Sequence, residues 1–244
     1  MKKGLFNKNR LAFTLAKLPD AGQYGPKRAA FTLAEVFITL GIIGVVAALT
    51  IPTLTKAYQK HITLTRVKQT YSMFAQALKL SEIDHDNISQ WNIPSVSSPN
   101  TLSNAVISEA FADEYFIKYL KGAQKYKNTS TSYKGVAWYK LQNGAKVYVW
   151  PRGTWGEIGI YTSDAKTYKS GKNQFCLVFT KFGRGATNMP KGGVYFYGYG
   201  YNRTTLKNDN NYGCNNKNAH YYGLYCGALI QTDGWKVSSD YDWR

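Results

Sequence analysis

Apolar residues first crowd together along this chain and then spread out. Phe31 to Ile51, FTLAEVFITLGIIGVVAALTI, is almost wholly apolar and carries one carboxylate, Glu35, near its start. As a helix at about 1.5 Å per residue it covers roughly 30 Å, the thickness of a bilayer's hydrocarbon core. It reads as a membrane helix. A charge at that depth costs about 2.5–3.5 kcal/mol on insertion scales, so Glu35 needs a partner or a purpose. Gly41, Gly44 and Ala48 are small gaps through which a second helix can approach. Beyond Pro52 the spacing changes: Leu64, Val67, Tyr71, Phe74 and Leu78 recur every three or four residues, an apolar stripe on one helix face. The pattern predicts one long helix from Phe31 to about Ile83, bent near Pro52 because proline removes a hydrogen bond and crowds the preceding turn.

Residues 84–100 are rich in Asp, Asn, Ser and Pro and read as a connector. A second helix is expected from Leu102 to Lys121, with Leu102, Val106, Phe111, Tyr115 and Tyr119 on one face and Gly122 ending it. From Tyr133 onward short strands alternate with turns. Val136–Leu141 and Lys146–Trp150 flank Gln142-Asn143-Gly144, whose Asn-Gly pair suits a hairpin turn. Further strands are expected at Glu157–Tyr161, Phe175–Thr180, Val194–Tyr199 and Cys226–Gln231, the last turning at Asp233-Gly234 into Trp235–Val237. The expected fold class is α+β, a long helix packed on an antiparallel sheet. The expected divisions are a leader at 1–30, an apolar helix at 31–52, its amphipathic continuation at 53–89 and a globular part at 90–244.

The 244 residues carry a formal charge of +17, and 44% hydrophobic with 15% aromatic content argues for a folded outer part. Seven basic residues and one acidic residue lie in 1–30, leaving 24 basic and 13 acidic residues, a net +11, in the remainder. That excess suits nucleic acid, anionic lipid or an acidic partner and selects none of them. Lysines and arginines flank the apolar segment on both sides (Lys17, Lys27 and Arg28 before it; Lys56, Lys60, Arg66 and Lys68 after it), so charge does not orient it. Of the three cysteines, Cys214 and Cys226 enclose a polar, Asn-rich stretch that a crosslink would tie, contributing about 3 kcal/mol in the chain-entropy model. Cys176 sits in the apolar run Phe175–Phe179 and reads as a buried thiol, with its pairing to either of the others left open.

Lys27-Arg28-Ala29-Ala30-Phe31-Thr32-Leu33-Ala34-Glu35, followed by the apolar run and Pro52, resembles the processing and methylation motif of type IV pilins and type II secretion pseudopilins. The carboxyl end, Cys226 to Val237 and Asp240 to Trp243, resembles more loosely the tails of some prepilin-like proteins. The resemblance implies a pilin-like fold and a cut between Ala30 and Phe31, where the family usually has Gly before the cut. It implies N-methylation of Phe31, an assembly role for Glu35 and a helix kink at Pro52. The implied partners are a prepilin peptidase and methyltransferase, other pilin or pseudopilin subunits and the inner-membrane assembly machinery. It also implies a bacterial inner-membrane precursor with a cytoplasmic amino terminus and an exported carboxyl-terminal domain. The chemistry of the cut agrees: it leaves a cation at a helix start, where the dipole disfavours positive charge and a carboxylate relieves it. Two other readings compete, a secretory signal peptide cut after the small residues Val46-Ala47-Ala48 and an uncut anchor. Arg10–Lys17 echoes Arg28–Glu35 with Lys17 in place of the acid.

No enzyme is expected. His61, His85 and His220 are scattered, and Gly183-Arg184-Gly185 and Gly198-Tyr199-Gly200 are short of a phosphate-binding fingerprint. No cofactor or metal is expected, since Asp209 is the one charge among Asn208, Asn210, Asn211, Asn215 and Asn216. Eight tyrosines between Tyr195 and Tyr225 crowd one region, and alternation at 195, 197 and 199 predicts three rings on one strand face. With Arg203 and Lys207 nearby, a second reading is a filament-associated module binding DNA or glycan there, against the plainer reading of tyrosines filling a strand surface or a subunit contact.

Overall fold

The computed structural model describes residues 31–128, 132–164, 168–183, 189–215, 217, 221–241 and 243. The leader expected at 1–30, with its internal echo and Ala30, lies outside the described residues. Contacts divide the chain into two units, Met1–Ile51 and Pro52–Arg244.

Helix α1 runs Leu33–His85 and includes Pro52. It opens on a capping box: the Thr32 hydroxyl accepts from the Glu35 N–H at 3.2 Å, and the Glu35 carboxylate accepts from the Thr32 N–H and hydroxyl, each at 2.8 Å. Amide donors that a helix start otherwise leaves bare are thereby satisfied. The helix stops where Asp86 turns to φ 61°. Glu82 then accepts from the Asn87 side chain and the Ile88 N–H, so the chain folds back and Trp91 enters the core.

Within Pro52–Arg244, the expected stripe is the buried face of α1. Val67, Phe74 and Leu78 are fully buried, and Leu64 and Tyr71 pack at their edge. Short helical turns at Ile88–Gln90, Leu102–Asn104 and Ile117–Tyr119 surround α2, Ala105–Tyr115. Among the described residues six strands form one antiparallel sheet in chain order: β1 Gln124–Lys125, β2 Ala137–Lys140, β3 Lys146–Pro151, β4 Trp155–Tyr161, β5 Gln174–Thr180 and β6 Gly193–Phe196. Gly144 at φ 81° makes the expected β2–β3 turn.

Alternation divides the sheet. Val147, Val149, Ile158, Ile160, Leu177 and Phe179 join the core that includes α1 and α2. Tyr71 stacks on Phe196 at 5.3 Å and Phe111 on Phe179 at 5.6 Å. Ser108 on α2 donates to the Val149 carbonyl at 2.6 Å and accepts from the Ala137 N–H, which fixes that helix over β2 and β3. Burying each large apolar side chain of this layer contributes about 1.5–3 kcal/mol. Trp138, Tyr148 and Tyr161 form a second, aromatic layer with Tyr133 and Trp150 beside it. Helices α3, Arg203–Asn208, and α4, Cys226–Thr232, complete the unit.

Four sequence expectations are corrected. Cys226–Gln231 is helix α4, because its run is buried on every side from Cys226 to Ile230 and a wholly buried segment carries no strand period. Trp235–Val237 is not a strand. The second helix is shorter than Leu102–Lys121: Leu102 and Val106 are exposed, and α2 ends at Tyr115 before Phe116 turns inward. Strand β6 stops at Phe196, since Gly198 and Gly200 take φ of 93° and 86° and bend the chain away.

Candidate functional site

Two surfaces stand out. The first is the opening segment of α1. Phe31, Leu33, Ile38, Ile42, Ile43, Val45, Leu49 and Ile51 are all exposed. By length and composition this helix, with a mean hydropathy of 2.3 in its most apolar window, is able to cross a membrane. Phe31 is 85% exposed at its head. Glu35, four residues on, is held over the helix start by Thr32. Pro52 lies inside α1 at the start of the second unit.

The second is a groove of about 630 Å³ on the aromatic side of the sheet. Its centre is the β3–β4 hairpin. Arg152 donates its backbone N–H to the Trp155 carbonyl at 2.7 Å, and Gly153 at φ 85° allows the tight turn between them. Strand register then sets Trp150 opposite Glu157. The Arg152 guanidinium sits 4.3 Å from the Trp150 ring centre and 4.5 Å from that of Trp155, with Glu157 at 3.6 Å. Such placement over two aromatic faces is favourable by about 0.5–2 kcal/mol per face. Trp150 also donates its indole N–H to the Val96 carbonyl at 2.8 Å, which locks the ring.

Tyr133 stacks on Tyr148 at 4.6 Å. Burial pushes both hydroxyls above the usual phenol range, so they stay protonated and able to donate. Tyr221, 52% exposed, lies nearly parallel to Tyr212, with 14° between the planes. Tyr221 belongs to the segment closed by the disulfide, and Tyr212 lies two residues ahead of it. That bond joins Cys214 and Cys226 at 1.99 Å, the pairing chosen from the sequence. Cys176 is outside it and buried, lining the groove at its floor.

The tyrosine cluster differs from its sequence expectation. Tyr197 and Tyr199 lie beyond β6, so positions 195, 197 and 199 do not share a strand face. Tyr197 and Tyr225 are buried, and Tyr212 contacts both at 5.3 Å. These rings mainly fill the space between sheet and carboxyl-terminal segment. Arg203 and Lys207, read as helpers for stacked bases, point elsewhere. Arg203 binds Asp233 and Asp240, each at 2.7 Å, and Lys207 binds Asp240 at 2.5 Å. Asp209 accepts from the Asn211 and Tyr212 N–H groups at 2.8 Å, a turn-forming role; Asn216 lies outside the described residues. Sequence reasoning missed Trp150, Arg152, Trp155 and Glu157, although their spacing of two residues on either side of Gly153-Thr154 is a hairpin signature.

Fold and surfaces define an α+β protein with an exposed apolar helical segment and an antiparallel meander bearing an aromatic groove. The chain belongs to a family of unknown function (DUF6613), whose profile matches residues 53–244, nearly the whole of the second unit. No curated protein and no solved structure matches the chain.

Proposed function

We propose that this chain is a structural, non-catalytic subunit of a type IV pilus-like or type II secretion filament, made as a membrane-inserted prepilin. In this reading the leader stays in the cytoplasm, the helix from Phe31 is stored in the bilayer and residues from Pro52 onward are exported. A membrane peptidase cuts before Phe31 and the new amine is methylated. The subunit then leaves the bilayer for a helical assembly whose centre is the packed apolar helices.

One observation carries the reading: an exposed apolar helix opens with a carboxylate drawn back onto its own first turn. In the precursor, the Thr32–Glu35 box gives the acid hydrogen bonds within the apolar layer and lowers the cost of its charge. After the cut, the amine of Phe31 arises beside the same carboxylate, in the same chain or in a staggered neighbour, where the two charges meet in a medium that screens them little. The apolar segment supplies the contact area, and Gly41, Gly44 and Ala48 supply the close approaches.

Mass spectrometry of the mature amino terminus tests this. The expected species begins at methylated Phe31. A chain trimmed near Ala48, or one still carrying residues 1–30 in every fraction, rules the proposal out.

A further inference from the structure

We infer that the groove over β3, β4 and β5 is a binding site for an uncharged glycan. The inference concerns the unit Pro52–Arg244 alone and does not rest on filament assembly.

The argument begins with charge. The chain holds 31 lysines and arginines against 14 acids, yet among the described residues the groove lining contains one cation, Arg152, and one anion, Glu157, and these face each other at 3.6 Å. A nucleic-acid site gains its affinity from unpaired cations against phosphates. Here Arg152 is held between two tryptophan rings and paired with Glu157. An apolar ligand fits no better, because Tyr133, Asn100, Gln174 and Glu157 present polar groups that it would strip of water without replacing their hydrogen bonds. Strand addition by a peptide is excluded at this place, since β3, β4 and β5 each pair on both sides and offer no open ladder.

A pyranose ring suits what remains. Its C–H face stacks on an aromatic ring, and its equatorial hydroxyls both donate and accept. The groove offers rings with polar tips at Tyr133, Tyr212 and Tyr221, the Tyr133 hydroxyl kept protonated by burial, and a carboxylate and guanidinium able to take adjacent hydroxyls of one sugar. Its volume of about 630 Å³ lies within the usual range for ligand sites, roughly 300–1,000 Å³. The rings are also fixed beforehand, by the Tyr133–Tyr148 and Tyr212–Tyr221 stacks and by the bond from Trp150 to Val96, so ordering them on binding costs little.

The test uses the full chain in a detergent without a sugar headgroup. It is applied to an array of neutral and anionic oligosaccharides, with a twenty-base oligothymidine and a proline-rich decapeptide alongside, and hits are titrated by tryptophan fluorescence. The expected result is binding to one or more neutral oligosaccharides that changes less than twofold between 50 and 500 mM salt. Tyr221→Ala removes a half-exposed ring and Glu157→Gln keeps shape while removing charge. Each is expected to weaken that binding at least tenfold with the melting temperature held. The inference is overturned by silence of the neutral sugars, by binding confined to anionic sugars, the oligonucleotide or the peptide, or by unchanged sugar affinity in both folded variants.

Discussion

Tyr148 on β3 stands opposite Gly159 on β4, and its ring occupies the space that a side chain at Gly159 would take. A Cβ built on Gly159 falls 2.0 Å from the ring edge. The glycine is therefore a cross-strand seat for an aromatic ring, and the same register continues from Gly159 to Cys176 at the groove floor. Gly159→Ala is expected to destabilise the protein by about 1–3 kcal/mol through overpacking. Chemical denaturation checks it. In the double variant with Tyr148→Ala most of the penalty for the added methyl disappears, a coupling of about 0.5–3 kcal/mol that independent sites would not show.

That pair illustrates what the sequence discloses and what it conceals. The α1 stripe was legible because one face of a helix repeats at fixed spacing, and the β2–β3 hairpin because Asn143-Gly144 requires positive φ. The helix α4 was not, since Cys226-Gly-Ala-Leu-Ile is apolar at every position and neither period shows. Glu35 was visible as an acid in apolar surroundings, but its bonds to Thr32 follow from where α1 begins, a boundary that periodicity leaves uncertain. The groove was least legible. Its walls come from segments between Pro99 and Leu224, and only the sheet order brings them together. The tyrosines near the carboxyl end drew attention by number, and number does not distinguish rings that fill space from rings that face a ligand.

The Cys214–Cys226 bond ties a stretch of polar residues to the start of α4. Replacing both cysteines by serine is expected to lower stability by about 3 kcal/mol, the loop-closure value for twelve residues. Urea denaturation of the double variant measures it. Alkylation of the denatured, unreduced chain should label Cys176 alone; a label on Cys214 or Cys226 would refute the pairing.

Arg203 gathers Asp233, Ser238 and Asp240. Its hydrogen bonds hold both carboxyls below the usual range, with Lys207 adding to the effect at Asp240. A carboxyl depressed in the folded state binds its proton more readily once unfolded. The stabilisation is then complete above the unfolded value, about 4, and is lost as pH falls below it. Thermal unfolding followed from pH 7 to pH 2.5 should show this decline, and Asp233→Asn should lower the melting temperature at pH 7 while flattening the acid slope. Since Asp84 and Asp164 are also depressed, by Tyr119 and Lys118 and by Lys146 respectively, the difference between wild type and variant is the quantity that reports on Arg203. An identical slope in both would show that the cluster contributes nothing.

The capping box at the head of α1 allows the two roles of Glu35 to be separated. As a cap, the side chain needs only an oxygen that accepts from the Thr32 N–H at 2.8 Å, and glutamine supplies one. As a counter-charge to the amine of a cut chain, it needs its negative charge, which glutamine lacks. On the filament proposal Glu35→Gln should therefore form its helix, insert and be cut, yet enter filaments at least tenfold less than wild type. Removing the charge also makes the bilayer a more comfortable place for the segment, by up to about 2.5–3.5 kcal/mol, which favours retention over extraction. Thr32→Val makes the opposite cut: it deletes the hydroxyl and costs about 0.5–2 kcal/mol of helix start while leaving the charge in place, so assembly should fall much less. Immunoblots of sheared filaments against the membrane fraction, with mass spectrometry to confirm processing, rank the two variants. If Glu35→Gln assembles as well as wild type and Thr32→Val does not, Glu35 serves the helix start alone and the amine must find its counter-charge elsewhere.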